Sequence, residues 1–100
     1  FTGPVAAPAR TQLLAPAPNP ARDGREVSFA LATAGDVDLA VFAADGRRVR
    51  TLAHGAFPAG TYRFTWEGDD GVHRAVPPGI YFAQLVTGGR RFSRTLVQLR

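Results

Sequence analysis

The sequence predicts an all-β domain, a small antiparallel sandwich of about seven strands. Three observations carry this. Apolar and polar residues alternate with period two through several short runs, and Gly, Pro and Asp-Gly turn signals separate those runs at close intervals. No segment repeats its apolar residues with the helical period. The 100 residues are one domain's worth of chain, enough to bury roughly 60 to 70% of the surface exposed when unfolded.

The elements follow in order. "FTGPVAAPAR" is rich in Pro and Ala, and residues 1–12 read as an interdomain linker ahead of a domain spanning 13–100. A short first strand is expected around Gln12 to Ala15. From Arg25, Val27, Phe29 and Leu31 alternate with Glu26, Ser28 and Ala30, a half-buried strand that ends at the Ala34-Gly35-Asp36 turn. Val37, Leu39 and Val41 alternate with Asp36, Asp38 and Ala40, and "ADGR" at Ala44 to Arg47 is a hairpin signal, placing strands at about 36 to 43 and 47 to 53. Val49 and Leu52 are three apart, so a bulge is expected near Arg50-Thr51 to turn both toward the core.

"HGAFPAG" reads as the next loop, and "TYRFTWEG" as a strand with Tyr62, Phe64 and Trp66 on the core face and Thr61, Arg63 and Thr65 on the other. "DDGVHRAVPPG" is the longest irregular stretch. "IYFAQLVT" and "RRFSRTLVQL" then flank a Gly88-Gly89 turn, with Tyr81, Ala83 and Leu85 supplying a core face.

The composition, 45% hydrophobic and 20% charged, is that of an ordinary globular domain rather than a disordered chain. No apolar run approaches the roughly 20 residues of a membrane-spanning helix. Phe1 and the residues after it lack the features of a signal peptide, so a piece of a longer or processed protein is expected. With no cysteine there is no disulfide, thiolate metal site or cysteine nucleophile.

The net charge of +4 rests on Arg alone. The acids fall before Gly71, whereas Arg90, Arg91, Arg94 and Arg100 have none near them in sequence. These four are the candidate partner-binding residues, since a guanidinium fork suits carboxylate or phosphate. The competing reading is a solvated strand face that charge protects from edge pairing.

No catalytic, cofactor-binding or metal site is read from the sequence. His54 and His73 fall in expected loops, and Ser28 and Ser93 lie in strands without a nucleophile elbow. Glu67, Asp69 and Asp70 lack the spacing of a calcium loop and suit a tight turn. Phe82 and Phe92 beside the arginines make only a faint nucleic-acid pattern, and neither nucleic acid nor a small-molecule substrate is an expected partner.

"PNP" at residues 18–20, "VFAADGRRVRTLAHG" at 41–55, "PAGTYRFTWEGDD" at 58–70, "PPGIYFAQL" at 77–85 and the ending "SRTLVQLR" occur in a familiar order. Together they resemble the Ig-like domain family of the flagellar hook-capping protein and its relative, the type A C-terminal sorting domain of type IX secretion cargo. The resemblance covers about residues 13–100 and implies an Ig-like sandwich without enzymatic activity. It also implies a sorting function: a terminal domain that a translocon or receptor protein recognises, carrying a covalently linked N-terminal cargo domain through periplasm and outer membrane to the cell surface or beyond. The Asp-rich loop after Trp66 is closer to the hook-cap branch, which implies the alternative, a structural or assembly module of a multidomain extracellular protein. On the sorting reading the last strand is both a sheet edge and an address, open to strand pairing and Arg contacts.

Overall fold

The structure, a computed structural model, describes residues 8–72 and 74–99. Most of the expected linker, His73 and Arg100 lie outside the described residues. Seven strands form: β1 (Gln12–Leu13), β2 (Arg25–Leu31), β3 (Gly35–Ala43), β4 (Arg48–Phe57), β5 (Gly60–Trp66), β6 (Gly79–Thr87) and β7 (Arg90–Gln98). They build a three-stranded sheet in the order β1-β2-β5 and a four-stranded sheet in the order β4-β3-β6-β7, with every pairing between strands antiparallel. This is the sandwich that the alternating runs predict. The chain crosses between sheets after β2, β4 and β5 and stays within one sheet at the β3–β4 and β6–β7 hairpins.

Period-two patterning decides which side chains meet between the sheets. Val27, Phe29 and Leu31 of β2 face Val37, Leu39 and Val41 of β3 and Tyr81, Ala83 and Leu85 of β6 across a core closed by Leu13, Trp66 and Leu96. Trp66 is fully buried, packs edge-on against Tyr81 at 5.4 Å between ring centroids, and donates its indole N–H to the Asp69 carbonyl at 2.7 Å. The register expected for β5 is the observed one: Thr61, Arg63 and Thr65 are exposed, while Tyr62 and Phe64 are half-buried against Phe29 and Phe57.

The bulge expected near Arg50-Thr51 is there, in duplicate. Leu39 pairs with Ala53 but Ala40 with Thr51, and Val41 pairs with Arg50 but Phe42 with Arg48. The residues skipped are Leu52 and Val49, the two that break the alternation, and both pack against the core. Both hairpin turns use glycine at positive φ: Gly46 at 91° in the four-residue β3–β4 turn, and Gly88 and Gly89 at 58° and 74° in the β6–β7 turn, where two successive positive angles are what a two-residue loop needs.

One expectation is corrected. Residues 54–57 are not loop; β4 continues through His54 to Phe57, paired with Asp38 through Gly35. Gly55 and Pro58 suggest a break, but Gly55 takes a φ of 133° within the ladder, and Phe57 is held by the rings of Phe29 and Tyr62. His54 is therefore an exposed strand residue.

A local device recurs at the entry to each sheet. Pro58-Ala-Gly60-Thr-Tyr62 leads into β5 and Pro77-Pro-Gly79-Ile-Tyr81 into β6. In each, the tyrosine hydroxyl donates to the proline carbonyl four residues back at 2.6 Å, across a glycine with φ near 150° (154° at Gly60, 150° at Gly79). Gly60 and Gly79 open their strands in a conformation that side-chain-bearing residues rarely adopt.

Candidate interaction surface

Three of the four candidate arginines, Arg90, Arg91 and Arg94, lie on β7, at the edge of the four-stranded sheet, and Arg100 falls outside the described residues. Pairing with β6 runs from Thr87–Arg90 to Gly79–Gln98, so Arg90, Phe92, Arg94, Leu96 and Gln98 share the core-facing side and Arg91, Ser93, Thr95 and Val97 the outer side. The fold thus separates Arg91 from Arg90 and Arg94. Arg90 lies over the Phe92 ring at 4.9 Å and borders a cleft of about 370 Å³ beside Asp36 and Thr87. Arg94 is exposed at its tip, yet its Nε donates to the Leu13 carbonyl at 2.9 Å, tying β7 to β1. Among the described residues no carboxylate pairs with Arg90, Arg91 or Arg94.

The second half of β7 is closed. The segment at 19–21 lies along its free side, with Ala21 and Gln98 in a parallel bridge. Asn19 donates its Nδ2 to the Thr95 carbonyl at 2.9 Å and accepts the Val97 amide at Oδ1 at 2.8 Å. Ala21 donates its amide to the Val97 carbonyl at 3.1 Å and accepts the Leu99 amide at 2.8 Å. The last strand, expected from the sequence to be a sheet edge open to strand pairing, is therefore open only in part: between the Thr95 carbonyl and the Leu99 amide the outward backbone groups are bonded within the chain. Only toward Arg91 and Ser93 does the edge remain a strand-addition surface.

Beneath this segment sits a group that is not among the candidates expected from the sequence. Arg25 is 1% exposed, stacked on Trp66 at 4.7 Å. It donates to the carbonyls of Ala21 and Asp23 and, at 2.5 Å, to Gln98 Oε1, while Gln98 Nε2 donates to the Arg22 carbonyl. Burial lowers the Arg25 pKa from its ordinary value. The sequence does carry a signal for it: Arg25 shares the parity of Val27, Phe29 and Leu31, and Gln98 that of Leu96. Gly68 leaves room for the Gln98 amide; a Cβ at that position would fall only 2.7 Å from Gln98 Nε2, and the backbone there has a φ of 72°. The Pro-x-Gly-x-Tyr repeat is a second signal of this kind, visible in the sequence and given meaning only by the fold.

The acidic turn does structural tasks. Asp69 pairs with Arg50 across to β4. Asp70 accepts the amides of Val72 and Arg74 and pairs with the Arg74 side chain at 3.3 Å; these hydrogen bonds hold its pKa below the usual carboxylate range. Arg48 and Arg74 line a cleft of about 390 Å³ with Val72 and Pro77, but each already has an aspartate, Asp38 and Asp70 respectively. Ser28 is buried in β2 and Ser93 exposed in β7. His54 Nδ1 lies 3.9 Å from Asp38, whose carboxylate takes two hydrogen bonds from Arg48.

No curated protein and no solved structure was found to match the chain. A family does match: the FlgD Ig-like domain, over residues 19–89, from the Asn19 segment to the turn before β7. With the two-sheet sandwich and a match to more than half of its length, this chain belongs to the FlgD Ig-like domain family.

Proposed function

We propose that the domain is a non-enzymatic assembly module that holds together neighbouring parts of a larger exported protein. The observation that carries this is the closed end of β7. Thr95 to Leu99, the stretch that an address read by strand addition would offer, is hydrogen-bonded to residues 19–21 of the same chain. The order of the fold, with an early segment and the last strand joined side by side, suits a module that fixes geometry between its neighbours.

A second reading, a sorting address for an outer-membrane translocon, is favoured by one feature. Arg90, Arg91 and Arg94 are exposed and without carboxylate partners among the described residues, leaving three guanidinium forks available to an acidic receptor. One experiment separates the two readings. Arg90, Arg91 and Arg94 are replaced by Ser in the full-length protein, and both surface delivery and the melting of the isolated domain are followed. The assembly reading expects normal delivery and normal melting. Lost delivery with intact melting would replace it with the address reading.

A further inference from the structure

We infer that the 19–21 segment is a mechanical clasp, so that the domain resists being stretched between its two ends. The segment runs parallel to the end of β7, and four hydrogen bonds join them: two through the Asn19 side chain and two through the Ala21 backbone. Tension between a point ahead of residue 19 and a point after Leu99 draws two parallel segments in opposite senses along one axis. Bonds between adjacent strands lie across the strand direction. This pull therefore shears the four bonds together, whereas an antiparallel hairpin pulled at its open end yields one bond pair at a time.

The layer beneath stiffens the same joint. Gln98 Nε2 is held by the Arg22 carbonyl, and Gln98 Oε1 by Arg25, whose guanidinium also grips the Ala21 and Asp23 carbonyls. That guanidinium is buried on Trp66 and cannot swing aside without opening the core. Residues 21–23 and Gln98 are thus fixed to one rigid group from below while Asn19 and Ala21 hold β7 from the side. Resistance to force is a matter of unfolding rate under load rather than of equilibrium stability.

The inference rests on the assembly reading for the use it serves; the mechanical property is measured on the domain alone, so either can fail without the other. Single-molecule pulling of the 100-residue chain is done in two geometries. Handles at the two ends load the clasp in shear; handles at Ala34→Cys and Ala59→Cys sites load the β3–β4 hairpin, at the opposite edge of the sheet and away from the clasp, as a zipper. The expected result is a several-fold higher unfolding force end to end, and Asn19→Ala lowers that force while leaving the zipper force unchanged. Equal forces in the two wild-type geometries would overturn the inference. So would an Asn19→Ala variant in which both forces fall together, since that would be ordinary destabilisation. Should Asn19→Ala not fold, the comparison of the two wild-type geometries decides alone.

Discussion

The two halves of β7 have one register and one partner strand, yet they differ in almost every other respect. From Leu96 onward the core-facing side chains are buried, and the outward backbone is bonded to residues 19–21. From Arg90 to Arg94 the same side carries two arginines around a half-buried Phe92, and these arginines are exposed. The cause lies opposite. The covering sheet is only three strands wide, and the strand nearest the first half of β7 is β1, two residues long. Where the cover ends, the core-facing parity stops meaning burial, and a guanidinium can occupy it with its stem packed and its head in water.

The largest expected effect removes the floor of the closed half. Trp66→Ala should cost about 3 to 5 kcal/mol, a large share of the roughly 5 to 15 kcal/mol typical of such a domain. Urea unfolding measures it; an unchanged midpoint would mean that the indole is not the support described.

Gly68→Ala comes next. It strains a backbone φ of 72° and drives a methyl into Gln98, so a loss of about 1 to 3 kcal/mol is expected. Gln98→Ala made in the same background should recover part of it, because the clash partner is then gone. No recovery would place the cost wholly in the backbone.

Asn19→Ala should cost only about 1 kcal/mol, since its two hydrogen bonds are exposed. Its sharper signature is local. The Val97 amide, bonded to Asn19 Oδ1, should exchange with solvent faster, while the amides of Arg94 and Leu96, which face β6, keep their protection. Uniform loss of protection along β7 would erase the difference between its halves.

Replacing Arg90, Arg91 and Arg94 with Ser should cost no more than about 1 kcal/mol in total, nearly all of it the Arg94 bond to the Leu13 carbonyl, because Arg90 and Arg91 are exposed and unpaired with any carboxylate among the described residues. Thermal melting of the triple variant measures it. The smallest effect belongs to a single exposed pair. Arg48 hydrogen-bonds Asp38 and holds its carboxyl below the usual range, with His54 adding to the pull. A depressed folded pKa contributes stability above the unfolded carboxylate range, lost as pH falls through the folded value. For so exposed a pair the loss should be about a few tenths of a kcal/mol; comparing wild type with Asp38→Asn between neutral and acid pH measures it.

Much of this fold is legible in the sequence because period two is a strong constraint. The sandwich, the Asp-Gly and Gly-Gly hairpins and the aromatic face of β5 follow from it directly, and the spacing of Val49 and Leu52 marks the bulged stretch of β4. The end of β4 is hidden because Gly55 and Pro58 look like loop chemistry, and only pairing with β3 and the Phe57 ring contacts keep it a strand. The clasp is hidden for a different reason. Asn19 and Thr95 are 76 residues apart, and nothing local in "PNPA" says which strand it will lie against. Arg25 is the instructive case: its parity places it inside, but residue type argues against that position, because a buried arginine needs partners. Here Nη2 alone is hydrogen-bonded, to Ala21, Asp23 and Gln98, with the guanidinium lying on Trp66 and its Nε and Nη1 buried without a hydrogen-bond partner among the described residues.

The two Pro-x-Gly-x-Tyr corners differ from the rest of the fold in how little chain they have to close. Most of its contacts join residues far apart in the chain, the slow kind to form. Each corner instead closes over four residues, where the entropy lost in bringing the ends together is least. The two corners, one at the start of β5 and one at the start of β6, are thus constraints local in sequence, each fixing the angle at which its strand leaves the preceding loop. One strand of each sheet is aimed by contacts that need no distant partner.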